Sequence, residues 1–426
     1  MEPATGPVRA DIRVPSSKSA THRALVAAAL ANGVTEIGSP LDSDDTRRTK
    51  DGLRALGVQV GERDGRWRVE GTGARIPGGG TIELGASGTS ARFLTALAAL
   101  GARSTVLDGT SRLRERPMWE LVAALRTLGA SIEAREGGHF PIRAGGAPVR
   151  GGEVELPGAT SSQFVSALLL VAPALAEGLR LRVSGPRVSY AYVTMTLETL
   201  EAFGARVVRG GDDHFSVARQ DLTARTLEVE GDYSSASYFM AATAILGGRL
   251  RLAGLRETSA QPDARFPDDL ATLGCVIRRD AEGALVLESR GALPGFTWDL
   301  SGAPDLAPTA AVLALFAGAP CTLTGLDHLR WKESNRLLVL EDNLTRMGAN
   351  VSVDGGSLSI ASPGRGALKG AVIDVAADHR IAMAFAVAGL AVPGVRIADP
   401  ESVAKSYPAF WEDLTRLART GSSAPG

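Results

Sequence analysis

Acidic and basic side chains are concentrated in the segment HLRWKESNRLL, which begins at His328. Within it, Lys332, Glu333 and Arg336 combine two cations with one carboxylate. Because side chains four residues apart lie on one face of a helix, we expect Lys332 and Arg336 to share a helix face. One interpretation is an anion-binding face with a carboxylate for proton transfer. The other is an exposed, salt-bridged helix surface.

Similar cations stand at the polar start of apolar segments elsewhere in the chain. Lys18 and Arg23 lie in VPSSKSATHRALVAAAL, Arg92 lies in LGASGTSARFLTALAAL, and Arg380 follows His379 in DHRIAMAFAVAGLAV. Burying an arginine without an anion is unfavourable by several kcal/mol. These segments therefore predict recognition of phosphate or carboxylate groups, although an extended lysine and a solvated arginine are the ordinary alternative for Lys18 and Arg23.

Two further basic segments complete the set of cations. DGTSRLRERPMWEL carries Arg112, Arg114 and Arg116, and VAKSYPAFWEDL carries Lys405 ahead of an amphipathic helix. For Arg114 we expect only a solvated loop. The glycine-rich turn that ends at Gly88 permits a close approach of the backbone to a ligand.

Asp305 and Glu333 are the plausible acid and base groups among these cations. The five histidines lack the paired spacing of metal ligands. The chain has no GxxxxGK[ST] loop for a nucleotide and no Rossmann fingerprint at its start. Neither Cys275 nor Cys321 lies in a cation-rich segment, which disfavours a cysteine nucleophile. The pattern indicates a reaction between anionic small molecules without a metal ion or cofactor.

The overall composition restricts the class of partner and the compartment. The net charge of the 426 residues is −1, so the molecule has no general field to attract nucleic acid or a membrane. No apolar run approaches the length of a membrane span, and the first residues do not resemble a signal peptide. With only two cysteines in apolar surroundings, we expect a reduced, cytoplasmic environment.

The helices and strands that position these side chains recur at a regular interval along the sequence. Six polar turns lead directly into apolar, alanine-rich runs whose starts lie about 70 residues apart. An α-helix that is apolar on nearly every face must be buried, and its amino terminus can bind an anion. The six predicted helices begin near Ser16, Ser87, Ser161, Ser234, Pro304 and Asp378. The run SSASYFM carries no cation, and we assign it a structural role.

A second element recurs with the same period. Amphipathic helical segments end in an apolar residue, a glycine and a short run typical of a strand, as in RALGVQV and TRMGANVSV. Their glycines are Gly57, Gly129, Gly204, Gly274 and Gly348. Additional strands are expected at VRADIRV, GTIEL, GGEVEL, TLEVEG, FTWDL and GAVIDV. The fold class is therefore α/β, with six similar units built around buried helices.

Six units divide naturally into two domains of three. The strand VRADIRV has no unit before it, and we expect it to pair with the carboxyl-terminal half. This gives one domain of residues 1–14 with 231–426 and an inserted domain of residues 15–230. The chain would cross between them near 14–17 and 228–232, as a hinge requires. The tail RTGSSAPG is expected to fray.

Taken together and in order, these segments resemble the 5-enolpyruvylshikimate-3-phosphate synthases of the enolpyruvyl transferase family, from Val14 to about Leu414. The resemblance implies two domains of three α/β units each, which form an inside-out α/β barrel around the substrates. It also implies transfer of the enolpyruvyl group of phosphoenolpyruvate to the 5-hydroxyl of shikimate 3-phosphate, with release of phosphate. That reaction belongs to the shikimate pathway, which leads through chorismate to the aromatic amino acids.

The resemblance assigns roles to individual residues. Asp305 is implied as the proton acceptor at the 5-hydroxyl and Glu333 as the proton donor, with Lys18 and Lys405 also catalytic. The implied contacts to shikimate 3-phosphate are Lys18, Ser19, Arg23, Ser161, Ser162, Gln163, Ser189, Tyr192, Asp305, His328 and Lys332. The implied contacts to phosphoenolpyruvate are Lys18, Gly88, Arg112, Gln163, Arg336, Arg380 and Lys405. No metal or cofactor is implied, and a monomer is expected.

Some positions depart from the family pattern, and two other functions are considered. Ala86 replaces an asparagine of many relatives, and His328 replaces one found in some members. Gly88 is not the alanine of glyphosate-insensitive relatives, which implies inhibition by glyphosate in competition with phosphoenolpyruvate. One rival is the sister enzyme that acts on UDP-N-acetylglucosamine, but it uses a cysteine in a first-half loop that has none here. The other is a non-catalytic anion-binding scaffold, which would gain nothing from Asp305 and Glu333.

Overall fold

Helices and strands alternate throughout the described residues, 2–159, 161–211 and 213–419, of this computed structural model. The α-helices are α1 Lys18–Leu30, α2 Asp44–Ala55, α3 Gly88–Ala99, α4 Ser111–Glu115, α5 Trp119–Thr127, α6 Ser162–Val171, α7 Ala191–Ala202, α8 Tyr233–Leu246, α9 Phe266–Thr272, α10 Ala307–Ala314, α11 Arg336–Arg346, α12 His379–Gly389 and α13 Phe410–Arg419. Short 3-10 helices cover Glu136–Gly138, Ala172–Ala174, Pro262–Arg265, Pro304–Leu306, Asp327–Trp331, Arg365–Ala367 and Pro400–Lys405.

The strands are short, and each contains two to seven residues. They are β1 Val8–Arg13, β2 Asn32–Gly38, β3 Gln59–Arg63, β4 Arg66–Thr72, β5 Thr81–Glu83, β6 Thr105–Asp108, β7 Ile132–Ala134, β8 Ile142–Ala144, β9 Gly152–Pro157, β10 Leu179–Ser184, β11 Val208–Arg209, β12 His214–Val217, β13 Thr226–Glu228, β14 Gly248–Ala253, β15 Val276–Arg279, β16 Leu285–Ser289, β17 Thr297–Asp299, β18 Cys321–Thr324, β19 Asn350–Asp354, β20 Ser357–Ala361, β21 Val372–Ile373 and β22 Arg396–Ile397.

The contacts divide the chain into two domains. Domain I is Ser16–Glu230, and domain II combines Met1–Pro15 with Gly231–Gly426. Each domain has its own apolar core, built mainly on its alanine-rich helices.

Domain I contains three four-stranded sheets of the same plan. Their strand orders are β13-β2-β4-β3, β5-β6-β8-β7 and β11-β12-β10-β9. In each sheet one pair is parallel (β13 with β2, β5 with β6, β9 with β10) and the remaining pairs are antiparallel.

Domain II repeats this plan twice and shortens it once. The four-stranded sheets have the orders β1-β14-β16-β15 and β17-β18-β20-β19, and the third sheet is the parallel pair β21-β22. The first strand of the chain thus lies beside β14, with Val8 opposite Gly248 and Arg13 opposite Ala253. The six strands predicted from the sequence are β1, β5, β9, β13, β17 and β21.

The six predicted apolar helices are confirmed as α1, α3, α6, α8, α10 and α12. Every residue of α3, α10 and α12 is buried. A polar residue precedes five of the helices and accepts a hydrogen bond from a backbone N–H of the first turn, as an N-cap does. These caps are Ser17, Ser87, Ser161, Asp232 and Asp378. These serines and aspartates therefore begin five of the six helices, whereas α10 has no side-chain cap.

The five predicted glycines end α2, α5, α7, α9 and α11. Gly57 has a φ of 89°, a conformation that a side chain disfavours. Its N–H donates to the Arg54 carbonyl, and that of Val58 donates to Leu53, which is the Schellman pattern. Because the four other glycines repeat this pattern, each amphipathic helix turns directly into a strand.

The chain passes between the domains at two adjacent points. Within domain I, the Ser17 N–H donates to the Glu230 carbonyl at 2.7 Å. Within domain II, the Asp232 N–H donates to the Pro15 carbonyl at 2.8 Å. Among the described residues, no helix is long and apolar enough to span a membrane. The expectation for the terminal tail concerns residues 420–426, which lie outside the described residues.

Candidate active site

Lys18 is the first residue of α1 and lies against the first turn of α2. Its Nζ is 3.0 Å from Asp45 Oδ2, and both side chains are largely buried. Ser17, the N-cap, is fully buried beside it. The predicted substrate lysine is thus anchored by a carboxylate from the next helix, which holds its amino group near the amino terminus of α1.

Arg23 is buried in the interior of domain I and ties α1 to two other helices. Its guanidinium donates to the Ser19 carbonyl at 2.9 Å and to the Tyr192 carbonyl at 2.8 Å. It also donates to the hydroxyls of Thr196 at 2.8 Å and Ser166 at 3.3 Å. All four acceptors are neutral, so these bonds leave its positive charge in place. Burial lowers its pKa to about 10, which still keeps it protonated at neutral pH.

The predicted polar residues of α6 join this region to α3. Ser161 caps α6 by accepting from the Gln163 N–H at 3.2 Å. The Gln163 side chain donates to Thr89 Oγ1 at 3.2 Å, and Thr89 directly follows Gly88 in the sequence. Ser162 is buried in the same first turn.

Ser189 and Tyr192 lie at the start of α7. Ser189 is buried and has a φ of 56°, a left-handed conformation that is unfavourable for a serine. The Tyr192 ring centroid is 5.7 Å from the guanidinium carbon of Arg23. Strained backbone that is held in place by its surroundings is common at ligand sites.

A second group of arginines surrounds Gly88 at the amino terminus of α3. Arg92 donates to the Gly88 carbonyl at 3.1 Å and to the Pro117 carbonyl at 3.2 Å. A Cβ on Gly88 would lie 2.4 Å from Arg116 Nη1. Both arginines are buried, with exposures of 3% and 6%. An alanine at position 88 would therefore require the Arg116 guanidinium to move.

Arg112, which the resemblance favours for phosphoenolpyruvate, is placed differently. Its side chain is 36% exposed, and its Nη1 lies 2.8 Å from Glu115 Oε2 of the same short helix. Arg116 directly follows that helix as its C-cap, where the chain leaves helical geometry. The structure thus brings Arg116 to Gly88 and pairs Arg112 with a nearby surface carboxylate.

Buried hydroxyl groups connect α1, α2 and α3. His22 Nδ1 is 2.7 Å from Thr49 Oγ1, which is 2.8 Å from Ser90 Oγ. Ser90 Oγ in turn donates to the Asp45 carbonyl at 3.1 Å and lies 2.7 Å from Ser87 Oγ. This series of hydrogen bonds fixes the turn that holds Lys18 relative to the turn that holds Gly88.

In domain II the predicted residues converge on Arg336, whose side chain is 1% exposed. Its guanidinium contacts Asp305 at 2.9 Å, Glu333 at 3.0 Å and Asp378 at 2.7 Å. Arg380 Nη2 lies 2.7 Å from the second oxygen of Asp305. The implied acid, base and two of the implied anion-binding arginines therefore form one ion-pair network.

The environment of Arg336 differs from that of Arg23. Burial opposes its charge, but the carboxylates of Asp378, Glu333 and Asp305 outweigh burial and raise the pKa of Arg336. Arg336 is also the first residue of α11, where the helix dipole disfavours a cation. A buried arginine at the start of a helix needs carboxylate partners to balance its charge.

The prediction that Lys332 and Arg336 share a helix face is wrong. Helix α11 begins only at Arg336, and Lys332 follows the 3-10 helix Asp327–Trp331 with extended backbone angles. Glu333 still reaches Arg336 across the intervening loop.

His328 lies in that 3-10 helix and is 9% exposed. Its Nε2 has no hydrogen-bond partner among the described residues. Burial, assisted by the charge of Lys332, lowers the pKa of His328 to about 3, so the imidazole is neutral at physiological pH. A buried neutral imidazole with an unused nitrogen is suited to a hydrogen bond with a substrate.

Lys405 ends the 3-10 helix Pro400–Lys405 and is 9% exposed. The segment after it is anchored, because the Tyr407 hydroxyl donates to Asp413 Oδ2 at 2.7 Å. The Tyr407 ring packs edge-on against Phe239 and Phe410.

Sequence reasoning missed Asp45, Asp378 and Arg116 as members of these clusters. Asp45 stands in the first turn of α2 and Asp378 caps α12, positions where acidic residues are common for helix stability alone. Arg116 is one of three arginines in five residues, and only the end of α4 distinguishes it. Its one sequence signal is the following Pro117, which favours a helix end.

Comparisons with known proteins agree over nearly the whole chain. A family model described as EPSP synthase (3-phosphoshikimate 1-carboxyvinyltransferase) matches residues 3–414. A 3-phosphoshikimate 1-carboxyvinyltransferase of Methanoculleus marisnigri is 45% identical over 414 residues, 96% of this chain and 97% of that protein. One of Bordetella parapertussis is 41% identical over 426 residues, 96% of each chain.

A solved structure of EPSP synthase from Acinetobacter baumannii aligns with a TM-score of 0.81 at 29% identity, covering 98% of this chain and 97% of that one. The fold is thus that of the two-domain enolpyruvyl transferases. Within that class, the chain belongs to the EPSP synthase family.

Proposed function

We propose that this enzyme transfers the enolpyruvyl group of phosphoenolpyruvate to the 5-hydroxyl of shikimate 3-phosphate. The observation that carries the proposal is the placement of Asp305 and Glu333 on one guanidinium, that of Arg336, at 2.9 and 3.0 Å. Two carboxylates held together in this way can take up and deliver protons in one reaction. The product is a precursor of chorismate in the shikimate pathway, as in the rest of the family.

The chemistry requires a proton transfer at each of two stages. Asp305 accepts the proton of the 5-hydroxyl while the hydroxyl oxygen attacks C2 of phosphoenolpyruvate. Glu333 protonates the C3 methylene. In the second stage C3 gives a proton back to the Glu333 carboxylate, the double bond re-forms and the bond from C2 to the phosphate oxygen breaks. Phosphate leaves with the bonding electrons. Lys18 and Lys405 stabilise the negative charges on the reacting groups.

Domain I supplies most of the contacts to shikimate 3-phosphate. Arg23 keeps its full charge because its acceptors are neutral, and helix α6 offers the backbone N–H groups of its first turn. The proposed contacts from this domain are Lys18, Ser19, Arg23, Ser161, Ser162, Gln163, Ser189 and Tyr192. From domain II, Asp305, His328 and Lys332 contact the same substrate.

Phosphoenolpyruvate is held by Lys18, Gly88, Gln163, Arg336, Arg380 and Lys405, and by Arg116 in place of Arg112. The exchange of Arg112 for Arg116 is supported by the burial of Arg116 against Gly88 and by the pairing of Arg112 with Glu115. Arg92 supports this turn through the Gly88 carbonyl.

We further propose that the crossings near 14–17 and 228–232 act as a hinge. Cations that repel one another would be drawn together by the anionic substrates. Small-angle scattering tests this idea: the radius of gyration should fall when both substrates are added, and an unchanged value contradicts it.

The enzyme is proposed to be a cytoplasmic monomer. The reduced compartment is supported by Cys275 and Cys321, both free and buried. Size-exclusion chromatography with light scattering tests the monomer, for which a mass near the 44.2 kDa of one chain is expected.

The assay that tests the function mixes the purified protein with both substrates and measures released phosphate. The expected result is phosphate release with shikimate 3-phosphate and none with UDP-N-acetylglucosamine as acceptor. Release only with the latter would assign the chain to the sister enzyme. Ligand binding without phosphate release would indicate a non-catalytic anion-binding scaffold.

A further inference from the structure

The turn that leads into α12 has a conformation that its residues do not favour. Ala376 and Ala377 have φ values of 47° and 55°, and both side chains are exposed. The Asp378 N–H donates to the Val375 carbonyl at 2.8 Å, which closes a turn around the two alanines. Two successive residues with positive φ are typical of a type I′ turn, in which glycine, asparagine and aspartate predominate. Because the left-handed conformation is unfavourable for alanine, contacts outside the turn must hold it.

Asn343 of α11 makes such contacts, and its side chain is 0% exposed. Its Nδ2 donates to the Asp374 carbonyl at 2.7 Å, and its Oδ1 accepts from the Asp374 N–H at 3.0 Å. Nδ2 also donates to the Val339 carbonyl of its own helix at 2.8 Å, which fixes the orientation of the amide. One buried side chain thus holds both backbone groups of the residue that directly precedes the turn.

Helix α11 therefore contacts this segment on both sides of the turn. Asn343 holds Asp374 before the turn, and Arg336 Nε donates to Asp378 Oδ2 at 2.7 Å after it. Residues seven positions apart (343 − 336) lie on the same face of a helix, so one face of α11 makes both contacts. The Asp378 carboxylate is 0% exposed and also accepts from the Ser334 hydroxyl at 3.2 Å.

The position of Asp378 affects the proposed acid and base through Arg336. The same guanidinium contacts Asp305 at 2.9 Å and Glu333 at 3.0 Å. A guanidinium is planar and presents its N–H groups in a fixed fork, so the bond to Asp378 also sets the directions of the other two contacts. A displacement of Asp378 would therefore displace both of these carboxylates.

We propose that Asn343 is a positioning residue: by holding the strained turn before α12, it fixes Asp378 and thereby the orientation in which Arg336 holds Asp305 and Glu333. The inference rests on the proposed function of these two carboxylates. It adds to that function a side chain that acts through the backbone of Asp374.

The test is the steady-state kinetics of Asn343→Ala, which removes both contacts to Asp374. Without them the two alanines can leave the left-handed conformation, and Asp378 moves with them. Because small displacements of positioned groups lower the rate by large factors, we expect kcat to fall about 10- to 100-fold. KM for shikimate 3-phosphate should change less than about threefold, since most of its proposed contacts come from domain I.

Glycine at the two strained positions provides a measurement that a merely structural role would not affect. Glycine adopts positive φ about as readily as negative φ, so Ala376→Gly/Ala377→Gly makes the turn favourable without Asn343. In the Asn343→Ala background, the two glycines should restore kcat to within about threefold of the wild type. In the wild-type background they should change kcat less than about twofold. If Asn343 contributed only to stability, the glycines would add flexibility to the chain and restore nothing.

Gln220→Ala in domain I is the matched control, because Gln220 makes the same kind of contact at residues that have no role in the proposed site. Its Oε1 accepts from the Arg206 N–H at 2.8 Å, and its Nε2 donates to the Arg206 carbonyl at 3.1 Å. Gln220→Ala should lower the melting temperature and leave kcat unchanged.

Asp374→Ala is a second variant that decides the question if Asn343→Ala does not fold. Asp374 is exposed, and its Oδ1 accepts from the Ala376 N–H inside the turn at 3.0 Å. Loss of this single hydrogen bond should lower kcat about threefold. The two glycines should reverse this decrease as well.

Wild-type kcat in both Asn343→Ala and Asp374→Ala overturns the inference, and so does a decrease in kcat that the glycines do not reverse. Phosphate release by the wild type and by Asp305→Asn separates these failures from a failure of the proposed function. If the wild type releases phosphate and Asp305→Asn does not, only the role of Asn343 is lost. If the wild type releases none, or Asp305→Asn keeps wild-type turnover, the proposed acid–base pair is wrong and the inference is overturned with it.

Discussion

Arg23 in domain I and Arg336 in domain II are both buried near the start of a helix, with exposures of 2% and 1%, but their partners differ. Arg23 donates only to carbonyl and hydroxyl oxygens in its four bonds, and burial lowers its pKa. Arg336 is held by three carboxylates, and its pKa is raised.

The difference indicates a division of labour. A cation whose partners are neutral remains an attractive site for an anion, because no fixed charge has to be displaced. A cation that is neutralised by carboxylates also holds those carboxylates in fixed positions, where they can exchange protons. We therefore propose that domain I mainly binds phosphate, whereas domain II combines binding with acid–base chemistry.

The largest effect is expected from Asp305→Ala, which removes the proposed base from domain II. We expect kcat to fall by about 10²–10⁴, the usual contribution of a positioned general base. Affinity for phosphoenolpyruvate should be kept or improved, because Arg336 and Arg380 lose a competing carboxylate. Phosphate release and calorimetric binding measure the two quantities, and turnover within threefold of the wild type would contradict the division of labour.

Arg116→Ala and Arg112→Ala form a matched pair that tests which arginine of domain I binds phosphoenolpyruvate. Loss of a charge-assisted hydrogen bond of about 1.5–3 kcal/mol predicts a 10- to 100-fold rise in KM for Arg116→Ala. Arg112→Ala should change KM less than about threefold, because exposed ion pairs contribute little. Steady-state kinetics with varied phosphoenolpyruvate measure both, and the reverse ranking would restore Arg112 to the site.

Gly88→Ala should have a smaller effect on the same subsite. The new Cβ would lie 2.4 Å from Arg116 Nη1, so the guanidinium must move. We expect KM for phosphoenolpyruvate to rise about tenfold, which corresponds to about 1.4 kcal/mol. Inhibition of the wild type by glyphosate, and a weaker inhibition of the variant, should follow from the shared subsite. Equal inhibition of the two proteins would show that Arg116 does not respond to position 88.

The smallest effect is expected on stability, from His328→Asn in domain II. Between pH 6.5 and 3 the unfolded chain binds a proton at His328 that the folded chain does not bind. The stabilisation is complete above pH 6.5 and is lost as the pH falls. On going from pH 7.5 to 5.0, the variant should lose about 2 kcal/mol less than the wild type. Urea unfolding at both pH values measures this, and an identical loss would mean that His328 is charged in the folded protein.

The repeat of buried and amphipathic helices could be predicted because its signals are local. A run such as RALVAAAL has no polar face, so burial is its only stable outcome. A glycine after an amphipathic segment, such as Gly57, marks the helix end through its own backbone preference. These signals do not depend on which distant residues pack against them.

The site was less predictable because its geometry depends on short, irregular segments. Lys332 and Arg336 have helical spacing, but the chain forms a loop between them, and only the start of α11 at Arg336 shows this. Arg112 and Arg116 look equivalent in the sequence. In the structure the end of α4 directs Arg116 inward.

The pairing of β1 with β14 has a consequence for synthesis on the ribosome. Val8 lies opposite Gly248, 240 residues later in the chain (248 − 8). All of domain I, which ends at Glu230, emerges before β14 does. Because domains generally fold as units during synthesis, the inserted domain can complete its core first, while β1 remains unpaired. The order of translation therefore allows domain I, with the proposed phosphate contacts, to assemble before domain II, with the proposed acid and base.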